Sequence, residues 1–354
     1  EAARWRRATG EDLRAAELYS LAAEAAADPA TKREWAVLAL DAASAANKPA
    51  VAHELAERHL KTLPGDPTLL DRALQYATAT GKAERARELG RVLLTGPRAD
   101  DLAVLEAQLE RELAAGDRWA AIALVRRLLA RRPDDVALHA RLADLAEAVN
   151  DHALAYRELR WLVDHGEQRR FIDRAIALAR RTYDANGVLD LLLLRARQVD
   201  VTDENVLELV RAYEDIGDPD AAARSLHGHL ARARGSRALW KHLAILEEQR
   251  GAPDAAVKAW LRLQTDHGLD GAEALRAGAL LWRLDRGRDA LDLVLAVRED
   301  APGRDADYWS FVGDLAWEVN DLEAGLRAHK ELLARGDRSI GVLERLVAIE
   351  QALG

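Results

Sequence analysis

Apolar positions recur three and four residues apart along the whole chain, as in Val206, Leu209, Val210 and Tyr213, or Ile340, Leu343, Leu346 and Ile349. That is the period of helices with one buried face, and no stretch alternates apolar and polar residues as a strand would. The helical stretches are punctuated by residues that tolerate a left-handed backbone: Gly10, Asn47, Gly81, Gly116, Asn150, Asn186, Gly217, Gly251, then Asp285 in the same place, and Asn320. The intervals between them are 37, 34, 35, 34, 36, 31, 34, 34 and 35 residues.

Five residues after each breaker stands a small residue: Ala15, Ala52, Ala86, Ala121, Ala155, Ala222, Ala256, Ala290 and Gly325, with Leu191 as the exception. This predicts a helix, a tight turn ended by a left-handed residue, and a second helix packed close on the first through its small side chain. Pro64, Pro133 and Pro302, each 17 residues after a breaker, mark the end of the second helix. Pro97 and Gly166, Gly235, Gly268 and Gly336 mark the same boundary in other units. Glu1 to Ala8 reads as the remnant of a first helix, and Ser339 to Leu353 as an unpaired last one with a stripe of Ile340, Leu343, Leu346 and Ile349. The stretch 182–204, where the interval falls to 31, reads as a poorly conforming repeat or a bend.

These features resemble the tetratricopeptide repeat, a helix pair with a small/large pattern. Two units carry it openly: Trp240, Leu243, Ala244, Gly251, Ala256 and Trp260, and Trp309, Val312, Gly313, Asn320 and Gly325. The resemblance implies an all-α fold, a right-handed α-solenoid of about nine helix-turn-helix repeats occupying 1–354 as one array. Stacking is what makes such a chain fold, since a lone helix pair cannot bury its apolar face.

Composition narrows the function by exclusion. Hydrophobic residues make up 49% and charged residues 31% of the 354, as in a folded chain. A net charge of −9 argues against a nucleic-acid partner. The longest run of Leu, Ile and Val, Leu191 to Leu194, is far short of the ~20 residues of a membrane helix. With no Cys there is no disulfide, thiolate metal site or Cys nucleophile. With no Met and a start at Glu1, the chain reads as a piece cut from a longer array.

Catalytic chemistry has no foothold in the sequence. None of the six Ser sits in a Gly-x-Ser-x-Gly elbow, and there is no phosphate loop or dinucleotide motif. His53 and His59 are six apart, not the four that put two zinc ligands on one helix face, and read as solvated helical histidines. His227 and His229, two apart in a helix, point different ways. Asp100–Asp101, Asp134–Asp135 and Asp203–Glu204 read as helix N-caps. The expectation is therefore a non-enzyme with no cofactor and no metal.

In the repeat family that this chain resembles, first helices line the binding surface, which implies that residues three, six and ten before each breaker face a partner. They are Asp144 and Glu147, Arg211 and Glu214, Lys241 and Glu248, Leu275 and Trp282, and Ser310, Asp314 and Trp317. Two Trp rings one repeat apart with acids nearby suit a cationic or sugar-like ligand or an Arg-rich peptide, unless both rings pack between helices. With seven Lys and an acidic face, a chaperone's acidic tail is the wrong charge for this surface.

The Ala/Arg/Leu bias and the segments Ala238–Ala244, Ala259–Leu263 and Asp307–Trp317 resemble the long periplasmic arrays of bacterial exopolysaccharide exporters of the Pel type. That resemblance implies a periplasmic scaffold for biofilm polymer export that holds a polymer-modifying enzyme, such as a polysaccharide deacetylase or hydrolase, and guides a cationic polysaccharide to an outer-membrane pore. The alternative is a cytoplasmic adaptor or assembly scaffold that binds peptides or proteins.

Overall fold

The computed structural model describes residues 1–96, 98–197, 202–232 and 235–354. Pro97 and residues 198–201 of the 182–204 stretch lie outside them. All 21 elements are α-helices, and the described residues contain no strand. The chain divides into two compact units, Glu1–Tyr183 and Asp184–Gly354. None of the described helices is long and apolar enough to cross a membrane.

The first unit holds α1 (Ala2–Ala8), α2 (Asp12–Ala25), α3 (Pro29–Ala45), α4 (Pro49–Thr62), α5 (Pro67–Ala79), α6 (Ala83–Thr95), α7 (Leu102–Ala114), α8 (Arg118–Arg131), α9 (Val136–Ala148), α10 (His152–Asp164) and α11 (Gln168–Arg181). The second holds α12 (Ala185–Ala196), α13 (Asp203–Asp215), α14 (Pro219–Leu230), α15 (Arg237–Gln249), α16 (Pro253–His267), α17 (Gly271–Arg283), α18 (Gly287–Leu295), α19 (Ala306–Glu318), α20 (Leu322–Ala334) and α21 (Ile340–Leu353). Within each unit, odd-numbered helices are the first of a pair and even-numbered ones the second; α11 is the last helix of the first unit and α12 the first of the second.

The turn between the two helices of a pair has one construction throughout. Its central residue is left-handed at Gly10, Asn47, Gly81, Gly116, Asn150, Gly217, Gly251, Asp285 and Asn320. In the turn after α9, the Asn150 amide donates to the Glu147 carbonyl and the Asp151 amide to that of Ala146, at 3.0 and 2.9 Å. This double closure satisfies carbonyls that the ending helix leaves open. It recurs at Gly251 and at Asn320.

The turn expected at Asn186 is elsewhere. Asn186 lies inside α12, and the left-handed residue is Tyr183, with φ 58° and its side chain 95% exposed. Tyr183 is 33 residues after Asn150 and 34 before Gly217. The 31-residue interval follows from placing the turn three residues late. The small-residue position then falls on Val188, and Leu191 becomes an ordinary fully buried leucine of α12.

The small residues do what their spacing predicts. Ala15, Ala52, Ala121, Ala155, Ala222, Ala256 and Ala290 are fully buried, and a Cβ on Gly325 would stand 3.1 Å from Ile349 Cδ1. Each unit has its own apolar core, centred on residues such as Leu40, Leu69 and Leu89 in the first and Trp260, Leu263 and Trp309 in the second. The stripe expected on the last helix is buried only in part. In α21, Val342 and Ile349 are the buried residues, whereas Ile340 and Leu343 are exposed. α21 packs against α20, and the edge that faces α20 is the buried one.

Two histidines read as solvated are core residues. His53 and His59 are 3% and 1% exposed on α4, and the His59 ring nitrogen Nε2 is 3.1 Å from Ser20 Oγ. Burial holds the pKa of both below the ordinary 6.5, with Lys82 also acting on His53. The unfolded chain protonates them near 6.5, the folded chain only lower. Their contribution to stability is therefore intact above pH 6.5 and drains away as pH falls through the folded values. The melting temperature of the chain should drop between pH 7 and pH 5, and His59→Asn should shrink that drop; an unchanged pH dependence in His59→Asn would refute this account.

Candidate partner-binding face

The residues expected to face a partner lie on the odd-numbered helices, and the structure spends most of their charge between repeats. Nine residues before the left-handed turn, several first helices carry a base: Arg72, Arg141, Arg174, His242 and Arg276, with Arg345 nine before Gly354. Each reaches back to an acid three or six before the turn of the preceding first helix. Arg72 meets Asp41 at 3.2 Å, and Arg141 meets Glu110 at 2.8 Å. Arg174 bridges Asp144 at 2.7 Å and Glu147 at 2.8 Å. His242 meets Glu214 at 3.0 Å, Arg276 meets Glu248 at 3.0 Å, and Arg345 pairs with Asp314.

The ladder follows from the stacking. First helices of neighbouring repeats lie side by side, so the same registers meet wherever the sequence puts a base there. Each rung is partly exposed and contributes at most about 1 kcal/mol. Its larger consequence is that the acids of the face inferred from sequence are already engaged: Asp144 and Glu147 share Arg174, Glu248 meets Arg276, Asp314 meets Arg345, and Glu214 meets the His242 ring.

Glu248 is held from two directions. Its Oε1 accepts from the Trp260 indole Nε1 at 2.7 Å, tying the core of the α15–α16 pair to the face. Lys241 reaches across to the nearly buried Glu273 of α17 at 2.8 Å, where Arg237 also pairs. Burial pushes the Glu273 carboxyl up, but Lys241, the Asp270 backbone amide and Arg237 together hold it below its ordinary value. Arg211 is exposed and has no carboxylate within ion-pair distance among the described residues. Ser310 is exposed on α19.

At the α17–α19 junction, the register nine before the turn holds Phe311 in place of a base. It meets Trp282 edge to face, with ring centres 5.8 Å apart. Trp282 remains 39% exposed and Trp317 47% exposed, so neither ring is swallowed between helices. The Arg345 guanidinium lies 5.8 Å from the Trp317 ring centre while pairing with Asp314. Trp317 and Asp314 thus already hold one cation, supplied by the chain itself. Trp282, Ser310, Asp314 and Trp317 fall in one stretch of the second unit, whereas Asp144 and Glu147 belong to the first.

Sequence reasoning missed the rungs' basic partners, Arg174, Arg276 and Arg345. A signal existed in the recurrence of Arg or His nine before the turns, once the turns are placed correctly. The helix starts also differ in one case. Asp101 and Asp135 cap α7 and α9 through side-chain bonds to backbone amides. At α13 the cap is Thr202, and Asp203 instead binds His229 Nε2 at 2.8 Å and the Ser236 amide at 2.7 Å. His227 turns the other way, to Glu247 at 2.8 Å. No group of His, Asp and Glu among the described residues is arranged to hold a metal ion.

Comparison with known proteins yields no match among curated proteins. Of solved structures, MamA is 18% identical at a TM-score of 0.38, covering 49% of this chain and 94% of its own. A tetratricopeptide repeat protein from Parabacteroides merdae ATCC 43184 is 13% identical at a TM-score of 0.31, covering 70% of this chain and 97% of its own. YrrB, described as "a TPR protein with an unusual peptide-binding site", is 15% identical at a TM-score of 0.33, covering 62% of this chain and 96% of its own. A tetratricopeptide repeat family model matches residues 262–352, the stretch that carries Trp282, Ser310, Asp314 and Trp317.

Proposed function

We propose that the chain is a non-catalytic tetratricopeptide-repeat scaffold that docks a protein partner on the first-helix face of its second unit. The observation that carries this reading is the pair of half-exposed tryptophans, Trp282 and Trp317, one repeat apart inside the stretch matched by the repeat model. Elsewhere on the face most charges, Arg211 excepted, pair with one another; here two large rings stay open to a ligand. The chemistry they suit is visible in Arg345, whose guanidinium already sits by Trp317 and Asp314. A partner's Arg or Lys side chain taking that place would have the same ring and carboxylate to meet.

The finer reading we favour is a periplasmic scaffold of bacterial exopolysaccharide export, similar to PelB, whose partner is a polysaccharide deacetylase or hydrolase. It rests on the Ala/Arg/Leu bias and the Trp-bearing segments Ala238–Ala244 and Asp307–Trp317. A cationic polymer is the weaker ligand candidate, because the ladder already engages most of the acids that would attract it.

The test is co-purification of the chain with a periplasmic polysaccharide deacetylase, compared with Trp282→Ala and Trp317→Ala. Loss of a half-buried ring costs stability on the order of 1 kcal/mol, so both variants should keep their helical circular dichroism. Capture should weaken about tenfold or more, as for interface aromatics generally. Equal capture by the wild type and both variants would remove this face from consideration, and no capture at all would remove the exporter reading.

A further inference from the structure

The connection from α18 to α19, residues 296–305, is the longest between described helices, and it builds a second site away from the first-helix face. The loop is pinned to the start of α17 by backbone alone: the Gly271 amide donates to the Pro302 carbonyl at 2.8 Å, and Gly303 lies against Gly271 with φ 79°. Between this loop and the end of α20 opens a pocket of about 470 Å³.

Its floor is Trp309, only 2% exposed. Three guanidiniums gather over that ring: Arg304 at 4.8 Å, Arg327 at 5.7 Å and Arg335 at 5.8 Å from its centre. Three acids also line the pocket, but each is committed elsewhere or weakly held. Asp305 accepts from the Tyr308 amide at 3.1 Å, and Glu331 pairs with Arg335 on its own helix. Glu299 meets Arg327 at 2.8 Å while its side chain is 85% exposed. Arg304 has no carboxylate partner among the described residues. Two buried donors, the indole Nε1 of Trp309 and Nε of Arg304, have no acceptor.

We propose that this pocket receives a side-chain carboxylate from an acidic segment of a partner protein, bound by Arg304 and Arg327 above Trp309. A guanidinium fork matches a planar carboxylate in two hydrogen bonds. A single charge suits a site that already holds three acids, where a phosphate dianion meets more repulsion. A sugar ring is disfavoured because both the burial of Trp309 and the guanidiniums over it leave no open aromatic face for stacking. The incoming carboxylate displaces Glu299 from Arg327, which is the easiest of the three acids to release. This site is independent of Trp282 and Trp317 and of the exporter reading.

The experiment is a fluorescence-anisotropy titration of the whole chain with fluorescein-labelled hexaglutamate amide. The chain's net charge of −9 repels this probe in general, so binding requires a local cationic site. Arg304→Gln should weaken binding about tenfold with unchanged circular dichroism. Glu299→Gln, which removes the resident competitor, should tighten it. No binding by the wild type, equal affinity in Arg304→Gln, or weaker binding in Glu299→Gln overturns the proposal. So does stronger competition by inorganic phosphate than by acetate, or tighter binding of tetragalacturonate than of the peptide.

Discussion

Trp260→Ala should cost the second unit about 4 kcal/mol, the range for deleting a fully buried Trp. Trp260 is 1% exposed, among the largest fully buried side chains, and sits in a core shared by successive helix pairs. Its neighbours are held by helix backbones that cannot collapse into the vacated space, so most of the volume remains as a cavity. The same change frees Glu248, whose Oε1 loses its 2.7 Å bond from the indole and keeps only Arg276. Trp260→Phe separates the two effects, since it fills most of the volume but donates nothing. Thermal melts followed by circular dichroism should rank wild type above Trp260→Phe, and Trp260→Phe well above Trp260→Ala. A Phe variant as unstable as the Ala variant would mean that the hydrogen bond, not the cavity, dominates.

Gly271→Ala should cost about 3 kcal/mol, at the upper end of the usual overpacking penalty. A Cβ on Gly271 would overlap the carbonyl of Gly303 and come within 2.8 Å of the Arg304 backbone nitrogen. These are backbone atoms, which cannot swing aside as a side-chain tip can. Relief requires the 296–305 loop to lift from α17, breaking the Gly271–Pro302 bond and moving Arg304. Melting of the second unit should fall by roughly 10 °C. Because Gly271 is the first residue of α17 and has no side chain to lose, a drop of that size comes from collision alone. A melting temperature within about 2 °C of wild type would show that the loop moves at little cost.

Much of the turn chemistry was readable because it is local. A helix ends in a left-handed residue wherever Gly, Asn or Asp can take that conformation and the next residues can cap the following helix, and nine turns were found on that basis. The tenth was misplaced because tyrosine is a poor left-handed residue, whereas Asn186, three positions on, has the right chemistry. Asp184 carried the better signal. An Asp directly after the turn caps the next helix at Asp117, Asp151, Asp184, Asp218 and Asp321, each accepting from a backbone amide. That capping bond sets where α12 begins, and Tyr183 takes the strained backbone that remains.

The candidate face was legible only as positions. Helical period put Asp144, Glu147, Glu214, Glu248, Asp314 and the two tryptophans on the first helices, but their neighbours come from residues roughly one repeat away, beyond any local pattern. His59 illustrates the same gap: its spacing from His53 excluded a zinc helix, yet nothing nearby in sequence shows that Ser20 closes over it. The loop pocket was equally hidden, because Arg304, Arg327 and Arg335 converge only when the 296–305 connection folds back on α20.

The amino-acid order by itself determined the helices, the turns between them and the small residues where paired helices touch, since each depends on the backbone preferences of a few adjacent residues and on a face repeated every turn. Tertiary structure alone decided which charges are spent on one another, which rings stay open and where three arginines meet. Those outcomes depend on the lateral offset between stacked helices and on a backbone contact between two glycines 32 residues apart; a contact across that separation is set by packing, not by the identity of either neighbour along the chain.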